Sequence, residues 1–233
     1  MPLTFVSGQL VQFAHVPRCG GSSIENYLHG RFGRLAFLDR RDGRIPSSER
    51  WSHTSPQHIE TVAFDRIIPD AWIAHRFALV RHPEDRIISV FLFQRDIEQA
   101  IPHEMRFSEW IASLPSRIAT NPHYLDNHVR PADELVPRQA VPFKLENGME
   151  QVIEWLDGIE GAQRGARKIG EVNSYAARLQ RAGRDPGQPL EITPQERAVI
   201  TETYAADFER FGYVPRTDGP TKTAATASKG DQA

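Results

Sequence analysis

The chain holds a single cysteine, Cys19, among 233 residues. No intramolecular disulfide can form, no zinc site can be built from thiolates, and a reducing compartment is the natural setting. No stretch approaches the ~18 consecutive apolar residues that a membrane-spanning helix needs. The opening residues, MPLTFVSGQL, lack both a basic and an apolar leader region, so no secretory signal is expected and the cytoplasm is the expected location. The net charge of -2 supplies no global basic field, and nucleic acid is not an expected partner. The nucleotide-hydrolase signature G-x-x-x-x-G-K-[ST] is missing, because no lysine precedes Ser22. No carboxylate dedicated to magnesium ends a strand, so a bound metal is not expected. No internal repeat is present.

What remains is an ordinary globular composition, 39% hydrophobic and 25% charged, of a size that fits one α/β domain. Residues 10–16 (LVQFAHV) read as a buried strand. A tight turn follows, and Ser22 to Glu25 has capping-box spacing at a helix start, with Ile24, Tyr27, Leu28 and Phe32 along one face. Residues 38–50 read as a loop. Ser55 and Pro56 open a short helix with Ile59 and Val62 inward. Residues 77–80 form a second buried strand, and Pro83, Glu84 and Asp85 start a helix buried through Ile87, Ile88, Phe91 and Leu92. Arg86 reads as a structural ion pair or cap. A helix near residues 108–114 turns Trp110 inward.

Residues 119–142 read as a long ordered loop. Residues 141–145 form an edge strand, since Pro142 disfavours a central one. Asn147 caps a helix to about Asp157, and residues 158–190 are mostly irregular. Thr193 to Glu196 caps a last helix that runs to about Arg210. The domain is expected over residues 1–215. Residues 216–233 have almost no apolar content and are expected to be a disordered tail.

Two strand-to-helix turns carry chemistry. In the first, His15-Val-Pro-Arg18-Cys19-Gly20-Gly21-Ser22-Ser23, a glycine turn leads into a helix N-terminus. Free N–H groups and the helix dipole favour an oxyanion there. Arg18 adds charge and Ser22 and Ser23 add hydroxyls; a plain turn with an N-cap is the alternative. In the second, Leu79-Val-Arg81-His82-Pro83-Glu84-Asp85-Arg86-Ile-Ile-Ser89, Arg81 ends a strand and Ser89 lies about two turns into the next helix. That pair suits a second phosphate.

Taken together, HVPRCGGSS and LVRHPEDRIIS resemble the two donor motifs of the sulfotransferase family that includes the Golgi carbohydrate sulfotransferases and many bacterial members. WSHT at residues 51–54, FKLEN at 143–147 and YAADFERFGY at 204–213 extend the likeness over roughly residues 10–214. The family's usual lysine, threonine and asparagine are replaced by Arg18, Cys19 and His82. The resemblance implies a P-loop-like, single-domain, three-layer α/β/α fold with a short central parallel sheet. It implies 3'-phosphoadenosine 5'-phosphosulfate (PAPS) as sulfuryl donor, and its desulfated form (PAP) as product. Arg18, Cys19, Gly20, Gly21, Ser22 and Ser23 would bind the 5'-phosphosulfate, and Arg81 with Ser89 the 3'-phosphate.

In-line attack of an acceptor hydroxyl on sulfur leaves charge on the bridging oxygen, where Arg18 would meet it. The hydroxyl needs a base, and His53 is the candidate because it matches the family's histidine element. His58 reads as a surface residue and His15 as packed, while His123 and His128 lie in the long loop. Arg130 and Arg138 could bind an acidic acceptor. Cys19 is not expected to be a nucleophile. The acceptor is expected to be a small hydroxylic molecule or a glycan. A nucleotide-binding module without transferase activity is the alternative, and a kinase predicts ATP and magnesium dependence.

Overall fold

A computed structural model of the chain describes residues 1–41, 45–172, 174–183, 185 and 190–217. Its contacts divide into two compact units, Met1–Arg81 with Ser116–Val172, and His82–Pro115 with Asn173–Ala233. Most of the expected tail, residues 218–233, lies outside the described residues.

The first unit is built on a four-stranded sheet in the order β1-β2-β3-β4. β1 (Leu3–Val6) and β2 (Gln9–Ala14) form an antiparallel hairpin. Ser7 and Gly8 between them both have positive φ, 47° and 79°, the geometry of a tight two-residue hairpin loop. β2 then pairs in parallel with β3 (His75–Val80), Ala14 opposite Ala78. β3 pairs in parallel with β4 (Val141–Lys144), Val80 opposite Lys144. β4 is the edge strand expected from Pro142, whose missing N–H does no harm there. The α/β class is as the sequence predicts, with the antiparallel β1 added to the parallel sheet.

Residues 76–80 of β3 are all buried, so the sheet is covered on both faces at this strand. Phe13 stacks on Phe77, and Trp155 packs on Phe77 at a tilt, with ring centroids 5.0 and 5.1 Å apart. Trp155 belongs to α6 (Glu150–Glu160). α1 (Gly21–Phe32) is tied to α6 by Arg31, which donates to Asp157 at 2.6 Å and Glu160 at 2.5 Å.

Several boundaries differ from expectation. α1 starts at Gly21 with Gly20 as N-cap and no side-chain cap; Glu25 serves His15 instead of a capping box. Pro56–His58 is a single 3-10 turn, and the extended Ile59 breaks the helical phase before α2 (Thr61–Asp65). Phe64 therefore points inward, while Val62 is 66% exposed. Asn147 falls in a 3-10 turn, and Met149 is the N-cap of α6. The long loop contains α5 (Ala132–Leu135), preceded by the end of α4 (Phe107–Thr120).

The second unit centres on α3 (Pro83–Asp96). Its first-turn acids are buried ion-pair partners rather than solvated dipole ligands. Glu84 is fully buried and accepts from Arg197, and Arg216 holds Asp85 at 2.7 and 2.8 Å. Arg86, also fully buried, pairs with Asp207 at 3.4 Å under the ring of Tyr204, the structural role its sequence suggests. Trp110 packs on Phe91 and Phe107, inward as predicted. α7 (Tyr175–Arg181) interrupts the segment expected to be irregular. The last helix is two, α8 (Pro194–Thr203) and α9 (Ala205–Phe211), broken at the buried Tyr204. Thr193 and Glu196 form the expected capping box.

Removing a partner from a buried ion pair leaves its charge uncompensated, at a cost of about 3–5 kcal/mol. Glu84→Ala is therefore expected to destabilise the protein by about that amount. Urea denaturation checks it, and a change below about 1 kcal/mol would mean that Arg197 and Arg216 find other partners.

Candidate functional site

Parallel pairing places the C-terminal ends of β2, β3 and β4 along one edge of the sheet, where ligands of open α/β sheets bind. From β2 the chain enters the loop of residues 15–20 and then α1. Arg18 is in the left-handed region at φ 66°, and Gly20 follows at φ 81°. These two reversals turn the strand into the helix. With no side chain capping α1, its positive end faces the loop. At the end of β3, Arg81 donates through Nη1 to the Arg18 carbonyl at 3.4 Å. The two sequence motifs thus meet within the first unit.

Arg18, Gly20, Ser22 and Arg81 are all half-buried. Cys19 is 1% exposed, its thiol turned toward the Pro17 carbonyl, so the loop offers a ligand its backbone and not its sulfur. Ser23 is buried, and its hydroxyl accepts from the Val172 N–H at 2.9 Å. Gly21 has a packing reason to be glycine. A Cβ there would fall 1.9 Å from Nε2 of His15. Ser89 lies on α3 in the second unit, half-buried.

A cluster that the sequence did not reveal lies beside this loop. The ring of His15 donates through Nδ1 to Glu25 at 2.6 Å and meets the ring of His58 edge-on at 4.7 Å. His58 in turn meets the ring of His128 edge-on at 4.9 Å. Far from being a surface residue, His58 is buried. Its Nδ1 lies 2.7 Å from Oδ2 of Asp126, which also accepts from the Ser55 hydroxyl at 2.7 Å. Oδ1 of Asp126 accepts from the Ser55 N–H at 2.6 Å.

Leu125, Asp126 and Asn127 have φ of 53°, 56° and 60°. A left-handed run of this kind costs roughly 1–2 kcal/mol per residue for L-amino acids. It is pinned by the fully buried Asn127, whose amide donates to the His58 carbonyl at 2.8 Å. The Asp-Asn pair, tolerant of this region, was the available sequence signal. His53, by contrast, is exposed and stacks on His123 at 5.0 Å. Among the described residues no carboxylate orients it.

Burial opposes ionisation of Asp126, yet the His58 charge and hydrogen bond hold its carboxyl below the ordinary range. Burial pushes His128 down to about 3, helped by the charges of His58 and Arg18. Burial also lowers His15. His58, Asp126 and His128 each bring one possible metal-ligand atom within 4.8 Å of the others. However, ligands on tetrahedral zinc at 2.0–2.1 Å lie about 3.3 Å apart. The 2.7 Å contact of His58 with Asp126 is a hydrogen bond.

A family model described as the sulfotransferase family matches residues 5–214. Searches of curated proteins and of solved structures returned no match.

Two histidines kept neutral by burial tie stability to pH. Unfolding returns them to ordinary values near 6.5, so below that pH the unfolded chain binds more protons and stability falls as pH drops. His128 alone is expected to cost about 2 kcal/mol by pH 5. Urea denaturation from pH 7 to 5 measures the slope, which His128→Gln should flatten; a pH-independent parent would contradict the neutral rings.

Proposed function

The chain belongs to the sulfotransferase family, and from that premise we propose that it moves a sulfuryl group from PAPS to an acceptor hydroxyl on a carbohydrate or glycoconjugate. The observation that carries this reading is the meeting of the two donor motifs, Arg81 against the carbonyl of Arg18 at the ends of neighbouring parallel strands. The loop of residues 18–23 takes the 5'-phosphosulfate on its backbone and on Arg18. Arg81, at the end of β3, takes the 3'-phosphate. No step calls for a metal.

The barrier is lowered where charge appears. As the bond from sulfur to the 5'-phosphate oxygen breaks, Arg18 and the N–H groups at the start of α1 stabilise the departing oxygen. One such donor is typically worth about 3–4 kcal/mol. Arg18 keeps the charge of the family's lysine with a planar, forked geometry.

Arg130 is held by Glu134 at 2.8 Å and Arg138 by Asp133 at 3.1 Å. Their charges are matched locally, which favours a neutral acceptor over an acidic one. A lone, buried cysteine suits a reducing cytoplasm. Among the described residues no helix is long and apolar enough to cross a membrane. The replacement at Arg18 supports a second reading, a nucleotide-binding module with impaired turnover, and transfer of labelled sulfate separates the two.

PAP is expected to raise the melting temperature, and Arg81→Ala to weaken PAP binding about 10- to 100-fold, the worth of a charge-assisted hydrogen bond. Calorimetric titration reads both forms. No binding of PAP by the parent chain would sink the donor assignment, and unchanged affinity in Arg81→Ala would sink the role of Arg81.

A further inference from the structure

We propose that His58, oriented by Asp126, is the group that takes the proton from the acceptor hydroxyl. The inference rests on the sulfotransferase reading and adds to it a catalytic residue and a positioning residue that the family motifs do not mark.

Three consecutive left-handed residues, none of them glycine, persist at positions 125–127. Strain of this kind survives where the surroundings over-determine it, and it collects at functional sites. Its effect here is to hold one carboxylate still. Asp126 accepts from the Ser55 N–H, the Ser55 hydroxyl and His58 Nδ1, at 2.6, 2.7 and 2.7 Å. Asn127 locks the same turn onto the His58 carbonyl.

A carboxylate held ionised can only accept. When the ring is neutral, this contact therefore puts its proton on Nδ1 and leaves the lone pair on Nε2. A third group that fixes the tautomer and ring of a histidine is the arrangement that general-base catalysis uses. His53 has no such partner among the described residues; its ring rests on that of His123.

Location supports the same conclusion. On one side His58 touches the ring of His15, which packs on Gly21 at the start of α1. On the other it touches His128, which feels the charge of Arg18. Through His15, His58 is thus one ring away from the loop that begins α1.

In the reaction, Nε2 of His58 accepts the proton as the acceptor O–H bond breaks. The acceptor oxygen bonds to sulfur, and the bond from sulfur to the 5'-phosphate oxygen breaks. Its electron pair leaves on PAP. The imidazolium, stabilised by Asp126, then returns its proton to solvent, and the enzyme is restored. Protons and electrons balance without an oxidant or a metal.

The full chain is assayed by PAP release from PAPS, with neutral methyl glycosides as acceptors and with water where none is accepted. PAP affinity is measured in parallel by calorimetry. His58→Ala and Asp126→Asn are each expected to lower kcat about 100-fold or more, with KM and PAP affinity little changed. The double variant should be no slower than the slower single one, because the pair acts as a unit. Added imidazole should restore turnover to His58→Ala but not to Asp126→Asn, a readout that a purely structural role would not move. His58→Gln replaces His58→Ala if the latter does not fold. Turnover at the parental rate in any of the His58 variants overturns the proposal. So does a loss of rate that follows PAP affinity and is not rescued by imidazole. A parent that neither binds PAP nor releases it from PAPS overturns the sulfotransferase reading itself, and the role of His58 falls with it.

Discussion

Parallel pairing of β2 with β3 is the constraint on which the rest of the first unit depends. With Ala14 opposite Ala78, the two strands end level, and the segments that follow them must share the same edge. That is why Arg81 can reach the carbonyl of Arg18 although 63 residues separate them. An antiparallel pairing would send the two turns to opposite ends of the sheet. The side chains would be unchanged and the site would not exist.

The histidine cluster shows a second constraint, the cost of placing titratable groups where water is scarce. Three imidazoles are buried together, and Glu25 and Asp126 stand at His15 and His58. Burial favours neutral rings, and each carboxylate favours a proton on the nitrogen that faces it. The two effects together direct the rings, with His15 turned to Glu25 and His58 to Asp126. Such an arrangement is poor as a source of stability and good as a means of holding one nitrogen ready.

Much of this was legible in the sequence, and the parts that were not share a cause. The buried strand 77–80, the inward Trp110, the edge position of β4 and the capping box at Thr193 depend on local pattern, and they stand as read. Val62 was misplaced because one extended residue, Ile59, reset the helical phase. The capping box at Ser22 failed because Glu25 found a buried partner ten residues upstream. His58 read as a surface residue because its partner, Asp126, is 68 residues away. Residues whose roles depend on long-range partners leave little trace in periodicity or spacing. The two strand-to-helix turns were readable because each is contiguous.

Gly21 offers one more consequence. Its hydrogen occupies space that a methyl group would contest with the ring of His15, so the two positions are sterically coupled. A larger residue at 21 becomes acceptable only after His15 shrinks, and shrinking His15 strips Glu25 of its partner. Drift at either site is therefore contingent on the other. A side chain at position 21 therefore calls for a smaller residue at 15, and that change leaves Glu25 without its His15 contact.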